Sequence, residues 1–178
     1  MSKRPSAGQA IRVWTVLPGD EEKLRRMVSR LSQGTIYRRF HTQYPSVPGW
    51  ALSRPAEVGR NDRESLVAIT GDEIVGHAMY VRPGNGREAE ATLIVEDAWQ
   101  SEGIGGLLLT EIAEEARGRG VEAFTGTVLG DSRRALGLFF LEASTGVPYE
   151  VKNSLYLLRA PLGKPARQPV EGVSQRRW

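Results

Sequence analysis

This 178-residue chain has no cysteine and only two histidines, His41 and His77. Disulfides, thiolate metal sites and cysteine nucleophiles are therefore excluded, and a histidine-based metal site has too few ligands. No apolar run approaches the ~18 residues of a membrane span, and residues 1–10 carry charge with no apolar stretch behind them, unlike a secretory signal. These absences predict a cytoplasmic protein with no metal and no membrane partner. The net charge is only +3, and part of it sits at Lys3, Arg4, Lys164, Arg167, Arg176 and Arg177. The dense basic face or stacking aromatics of a nucleic-acid binder are missing, so no nucleic-acid partner is expected.

What remains is an ordinary globular composition of 40% hydrophobic and 25% charged residues, enough for one domain with a sizeable core. Residues 1–10 and 163–178, rich in Pro, Gly, Ser, Arg and Gln, are expected to be flexible tails around a single domain at 11–162. Residues 11–16 alternate like a half-buried strand. Asp20, Glu21 and Glu22 then open a helix whose stripe is Leu24, Met27, Val28 and Leu31. A short second helix and a long aromatic- and proline-rich segment fill 34–63. Strands follow at 65–69 and 74–81, joined by the turn Thr70-Gly71-Asp72-Glu73, and a fourth at 88–95.

The segment after that fourth strand is the most telling part of the chain. Gln100-Ser101-Glu102-Gly103-Ile104-Gly105-Gly106-Leu107 is a glycine-rich loop leading into a helix with Ile104, Leu108, Ile112 and Ala116 on one face. Such a loop leaves N–H groups uncovered at a helix N-terminus, where a phosphate or pyrophosphate can bind. Two familiar motifs fail. No Gly-Lys-Ser/Thr marks a P-loop, and Leu108 stands where a dinucleotide fingerprint needs its third glycine. Gly118-Arg119-Gly120 stops the helix. A fifth strand at 121–129, a helix from Asp131-Ser132 to Leu141, and strands at 149–151 and 154–158 complete the pattern. The fold class is α/β (α+β layered), with a mixed, mostly antiparallel sheet of six to seven strands and about four helices.

The hexapeptide Gln100-Ser101-Glu102-Gly103-Ile104-Gly105, between a strand and an apolar helix, resembles the acyl-CoA signature Q-x-x-G-x-G of the GNAT superfamily of N-acetyltransferases. Upstream, Leu31-Ser32-Gln33-Gly34-Thr35-Ile36-Tyr37-Arg38-Arg39-Phe40 resembles the L-S-x-x-[ST]-x-Y-x-R-F segment of bacterial GNAT domains of the protein-lysine acetyltransferase type. The likeness covers about residues 11–145 and implies a GNAT-like fold with acetyl-CoA as co-substrate. It also implies a primary amine acceptor, with a protein lysine favoured over an aminoglycoside- or polyamine-type small amine. A non-catalytic acyl-CoA-binding regulatory module is the alternative from another class. Either way the chain would act as a monomer or homodimer.

By this resemblance, the backbone of Ile94, Val95 and Glu96 pairs with the pantetheine arm. The amides of Gly103, Ile104, Gly105, Gly106 and Leu107 hold the pyrophosphate, with Gln100 at the loop's start. Ser132, standing where the family carries an asparagine, lies by the adenine half. Glu90 is the expected general base, better suited to the task if part-buried, and Glu88 the runner-up. The chemistry needs a base: a lysine ammonium of pKa ~10.4 costs roughly 4–5 kcal/mol to deprotonate at pH 7. Phe139 and Phe140 stand where many relatives carry a tyrosine acid. Among other residues, Trp14 and Trp99 read as packing residues and His77 as structural. Tyr37 and Phe40 read equally as core anchors or, with Arg38 and Arg39, as the acceptor mouth.

Overall fold

The computed structural model describes residues 10–40, 62–84, 86–129, 137, 149–152 and 155–163. Seven strands, β1 (Arg12–Thr15), β2 (Arg63–Thr70), β3 (Glu73–Val81), β4 (Glu88–Val95), β5 (Ala123–Leu129), β6 (Tyr149–Lys152) and β7 (Leu155–Pro161), form one sheet in the order β1-β2-β3-β4-β5-β7-β6. Every neighbour pair is antiparallel except β4–β5. A parallel pair needs a crossover, and the helix Ile104–Gly118 supplies it. We call this helix α3, after α1 (Glu21–Ser29) and α2 (Gln33–Phe40).

Strand alternation gives the sheet two different faces. Leu66, Ala68, Ala78, Tyr80, Ala89, Ala91, Val95 and Phe124 pack with Ile104, Leu108, Ile112 and Ala116 of α3 in one core. Burial of a side chain such as Leu108 or Ile112 contributes about 1.5–3 kcal/mol. Gly76 lets the helix approach: a Cβ there would sit 2.9 Å from Leu108 Cδ1. Val16, Leu24, Met27, Leu31, Ile36, Val67, Ile74 and Ile94 form the second core, under α1 and α2. The alternation that puts Ile94 in this second core puts Glu88, Glu90 and Thr92 on the same side, away from α3.

Local chemistry sets the boundaries. The β2–β3 hairpin turns on Gly71 at φ 58°, the first of its two turn residues. At the far end of α3, Gly120 at φ 79° is left-handed, and the Val121 N–H donates 3.0 Å to the Ala116 carbonyl, closing the last turn.

Two aromatic expectations change. Trp99 is buried, but Trp14 is 47% exposed, because β1 is the sheet's edge and α1 packs over β3 instead. Tyr37 is 42% exposed and so is not a core anchor. The expected helix at 131–141 (with Ser132, Phe139 and Phe140), the flexible tails and the side chains of Arg39 and Phe40 lie outside what the described residues cover.

Candidate active site

β4 is paired to β3 along most of its length, from Val81↔Glu90 to Gly76↔Val95. Its register with β5 spans only Glu88↔Ala123, Ala89↔Phe124 and Glu90↔Thr125. Beyond Glu90 the two parallel strands part, leaving a cleft that runs along β4 toward the start of α3. N–H and C=O directions alternate along a strand, so two contacts fix which residues face it. The Glu96 N–H donates 2.9 Å to the Val75 carbonyl on the β3 side, and the Arg87 carbonyl accepts from the Glu122 N–H at 2.7 Å on the β5 side. Ala91, Leu93 and Val95 therefore aim their backbone groups into the cleft, whereas Ile94 aims at β3. Its carbonyl is 3.5 Å from the place of a Gly76 Cβ. Two residues expected from sequence to pair with an extended ligand, Ile94 and Glu96, thus have their backbones turned to β3, whereas Leu93, not among the expected residues, faces the cleft. The period-2 pattern gives side-chain faces, and one observed ladder bond was needed to phase the backbone.

Glu96 is committed in its side chain as well. Its carboxylate, only 3% exposed, takes the Arg30 guanidinium at 2.9 Å, and Arg30 also bonds Glu73 at 3.0 Å and the Ile74 carbonyl at 2.9 Å. Gln100 behaves likewise: its Nε2 donates to the Val95 carbonyl at 3.1 Å and to Thr35 Oγ1 at 3.3 Å. Gln100 therefore ties the end of β4 to α2.

At the other end of this loop the backbone is left open. Gly103 caps α3 at φ 80°, with no side-chain cap. The Leu107 N–H is already spent on the Gly103 carbonyl at 3.0 Å. The N–H groups of Ile104, Gly105 and Gly106 have no partner among the described residues, at the positive end of a 15-residue helix. Three such donors at the mouth of the cleft fit a phosphate or diphosphate. Leu107 drops out of the predicted donor set.

The motif at 31–40 has a structural basis that the sequence reading did not supply. Ser32 Oγ accepts from the Thr35 N–H at 3.2 Å, capping α2. Asp97 accepts from the Ser32 N–H at 2.9 Å, the Ser32 hydroxyl at 2.7 Å and the Thr35 hydroxyl at 2.8 Å. Burial pushes the Asp97 carboxyl up, but these donors outweigh it and hold it below the usual carboxylate range. Ser-x-x-Thr ahead of an apolar run was a readable cap signal; Asp97, 62 residues away from Thr35, had none.

Glu90 stands where β4 and β5 begin to separate, on the face opposite α3, and it is exposed rather than part-buried. No hydrogen bond or ion pair among the described residues engages its carboxylate. Glu88, two residues earlier, is held by Arg159 at 2.6 Å. His77, buried, bonds Ser65 Oγ at 2.7 Å through Nε2. Among the described residues no three His, Cys, Asp or Glu side chains group to hold a metal, and no helix is long and apolar enough to cross a membrane.

A mixed sheet whose parallel pair splays toward an uncapped helix start defines an α/β domain built to take a long ligand with an anionic middle. The chain belongs to the GNAT acetyltransferase family, whose family model, "Acetyltransferase (GNAT) family", matches residues 30–140. It is similar to acetyltransferase Pat of Mycolicibacterium smegmatis, 35% identical over 121 residues, covering 66% of this chain. The chain spans about a third (36%) of the length of that relative. Among solved structures, the GNAT domain of S. lividans PAT matches with a TM-score of 0.76 at 26% identity, over 90% of this chain and all of that one. A cAMP-binding acyltransferase from Mycobacterium smegmatis matches with a TM-score of 0.61 at 25% identity, over 89% of this chain and 46% of that one.

Proposed function

We propose that this chain transfers the acetyl group of acetyl-CoA to a primary amine, with a protein lysine as the acceptor and residues 11–162 as the catalytic unit. The single observation that carries this is the continuity of the cleft. It begins at the amides of Ile104, Gly105 and Gly106, passes Val95 and Leu93, whose backbone groups face it and of which the Val95 carbonyl is taken by Gln100, and ends at Glu90. Pyrophosphate at the first, pantetheine along the second and the thioester at the third is the assignment this order supports.

Glu90 is the general base. It takes the proton of the incoming ammonium, directly or through one water, and the nitrogen attacks the thioester carbonyl carbon. The N–C bond forms, the nitrogen gives up its second proton to water, the C–S bond breaks, and the electron pair leaves on sulfur as a thiolate that is protonated from solvent. Glu88 is the poorer base because its lone pairs already serve Arg159. The exposure of Glu90 favours a lysine on a protein surface over a small amine, which would be better held in an enclosed acidic pocket. A thiol-release assay with acetyl-CoA over a panel of lysine peptides and small amines tests the assignment. Turnover by wild type that is lost in Glu90→Gln is expected; binding of acetyl-CoA with no turnover on any amine would instead identify a silent acyl-CoA-binding module.

A further inference from the structure

The residue that holds Glu88 stands in an informative place. Register runs Glu90↔Thr125 across β4–β5 and Thr125↔Arg159 across β5–β7, so Glu90, Thr125 and Arg159 form one row on the face opposite α3. Thr125, between them, turns its hydroxyl to the Ala89 carbonyl at 3.4 Å and adds no charge. From the end of this row Arg159 reaches back to Glu88, and both side chains are about half exposed, at 46% and 47%. An ion pair this open adds little to stability. It does set the charge that an amine meets at the end of the cleft.

Among the described residues on this stretch of β4, β5 and β7, Glu88 and Glu90 contribute two negative charges and Arg159 one positive, a local sum of one negative charge. Arg63, at the other end of the row beyond Val81, is paired with Asp62 and cancels. Glu150 lies on β6, three strand spacings or about 14 Å from β4, beyond a Debye length of about 8–10 Å.

We infer that Arg159 is a specificity-determining residue of the acceptor site: by neutralising Glu88 it matches the site to a lysine whose surroundings carry no further positive charge. This rests on the acetyltransferase reading above. Removing the guanidinium leaves two negative charges, which favour an acceptor with a second cation beside its amine.

The test uses the whole chain, acetyl-CoA and two capped tetrapeptides with one reactive amine each, Gly-Gly-Lys-Gly and Gly-Arg-Lys-Gly. The readout is the ratio of kcat/KM for the arginine-flanked peptide over the glycine-flanked one. Arg159→Gln should raise that ratio about fivefold, and more at low salt, as expected for one unit charge within several ångströms at a wet surface. Arg159→Lys should keep the wild-type ratio. Glu88→Gln should lower it, and the double variant E88Q/R159Q, whose charge sum equals that of wild type, should restore it. A structural role for Arg159 would not be rescued by removing its partner. Acetylation of both peptides with a ratio unmoved in Arg159→Gln, or moved and not restored in the double variant, overturns this inference alone. No acetyl transfer by wild type to either peptide or to any amine of the panel overturns the acetyltransferase reading and this inference with it.

Discussion

Helices α2 and α3 begin on either side of the same turn, Asp97–Trp99, and are finished in opposite ways. The start of α2 is closed by the protein itself: Ser32 caps it, and Asp97 collects the Ser32 and Thr35 donors. The start of α3 has a left-handed glycine and three donors with nothing to bond among the described residues. Closed caps lower the free energy of the fold. An open one at the mouth of a cleft is, on the function proposed above, a binding site whose missing acceptor is the ligand's.

The sharpest way to separate these two roles is to place a carboxylate at the open start. Gly105→Asp should lower acetyl-CoA affinity about 100-fold or more, through like-charge repulsion with the diphosphate. Thermal stability should hold or rise, since an acidic residue suits a helix N-terminus. Calorimetry and a melt on the same sample read both. Glu90→Gln should lower kcat on the order of 10²–10⁴-fold with acetyl-CoA affinity unchanged, by stopped assay and calorimetry.

The closed start should respond in stability instead. Asp97→Asn should cost about 2 kcal/mol near neutral pH by denaturant unfolding, the scale of charge-assisted hydrogen bonds. Because the folded state holds this carboxyl low, its contribution is present above the unfolded value of about 3.9 and is lost as pH falls through the folded one. The gap between wild type and variant should therefore close below about pH 4. The smallest effect is Gly103→Ala, expected to cost about 1 kcal/mol for a left-handed backbone with a Cβ.

Much of this was legible in the chain. The stripe Ile104, Leu108, Ile112 and Ala116 and the alternation of residues 88–95 located α3 and β4, because burial on one face leaves a period in the sequence. Gly103 to Gly106 announced the open helix start, because a missing side chain is itself a signal. Three things left no local trace: the phase of the β4 backbone, the burial of Glu96 on Arg30, and the capture of Gln100 by Thr35 and Val95. Each depends on partners five to 66 residues away. Trp14 was misread because apolarity alone does not say that a helix will reach an edge strand.

The contrast between the two helix starts can be read at single amides. In a ¹H–¹⁵N correlation titration with CoA, the N–H resonances of Ile104, Gly105 and Gly106 should move most as the diphosphate accepts from them, while the capped Thr35 N–H stays in place. Saturable CoA binding that leaves these three unmoved, or that shifts Thr35 as far, would contradict the account.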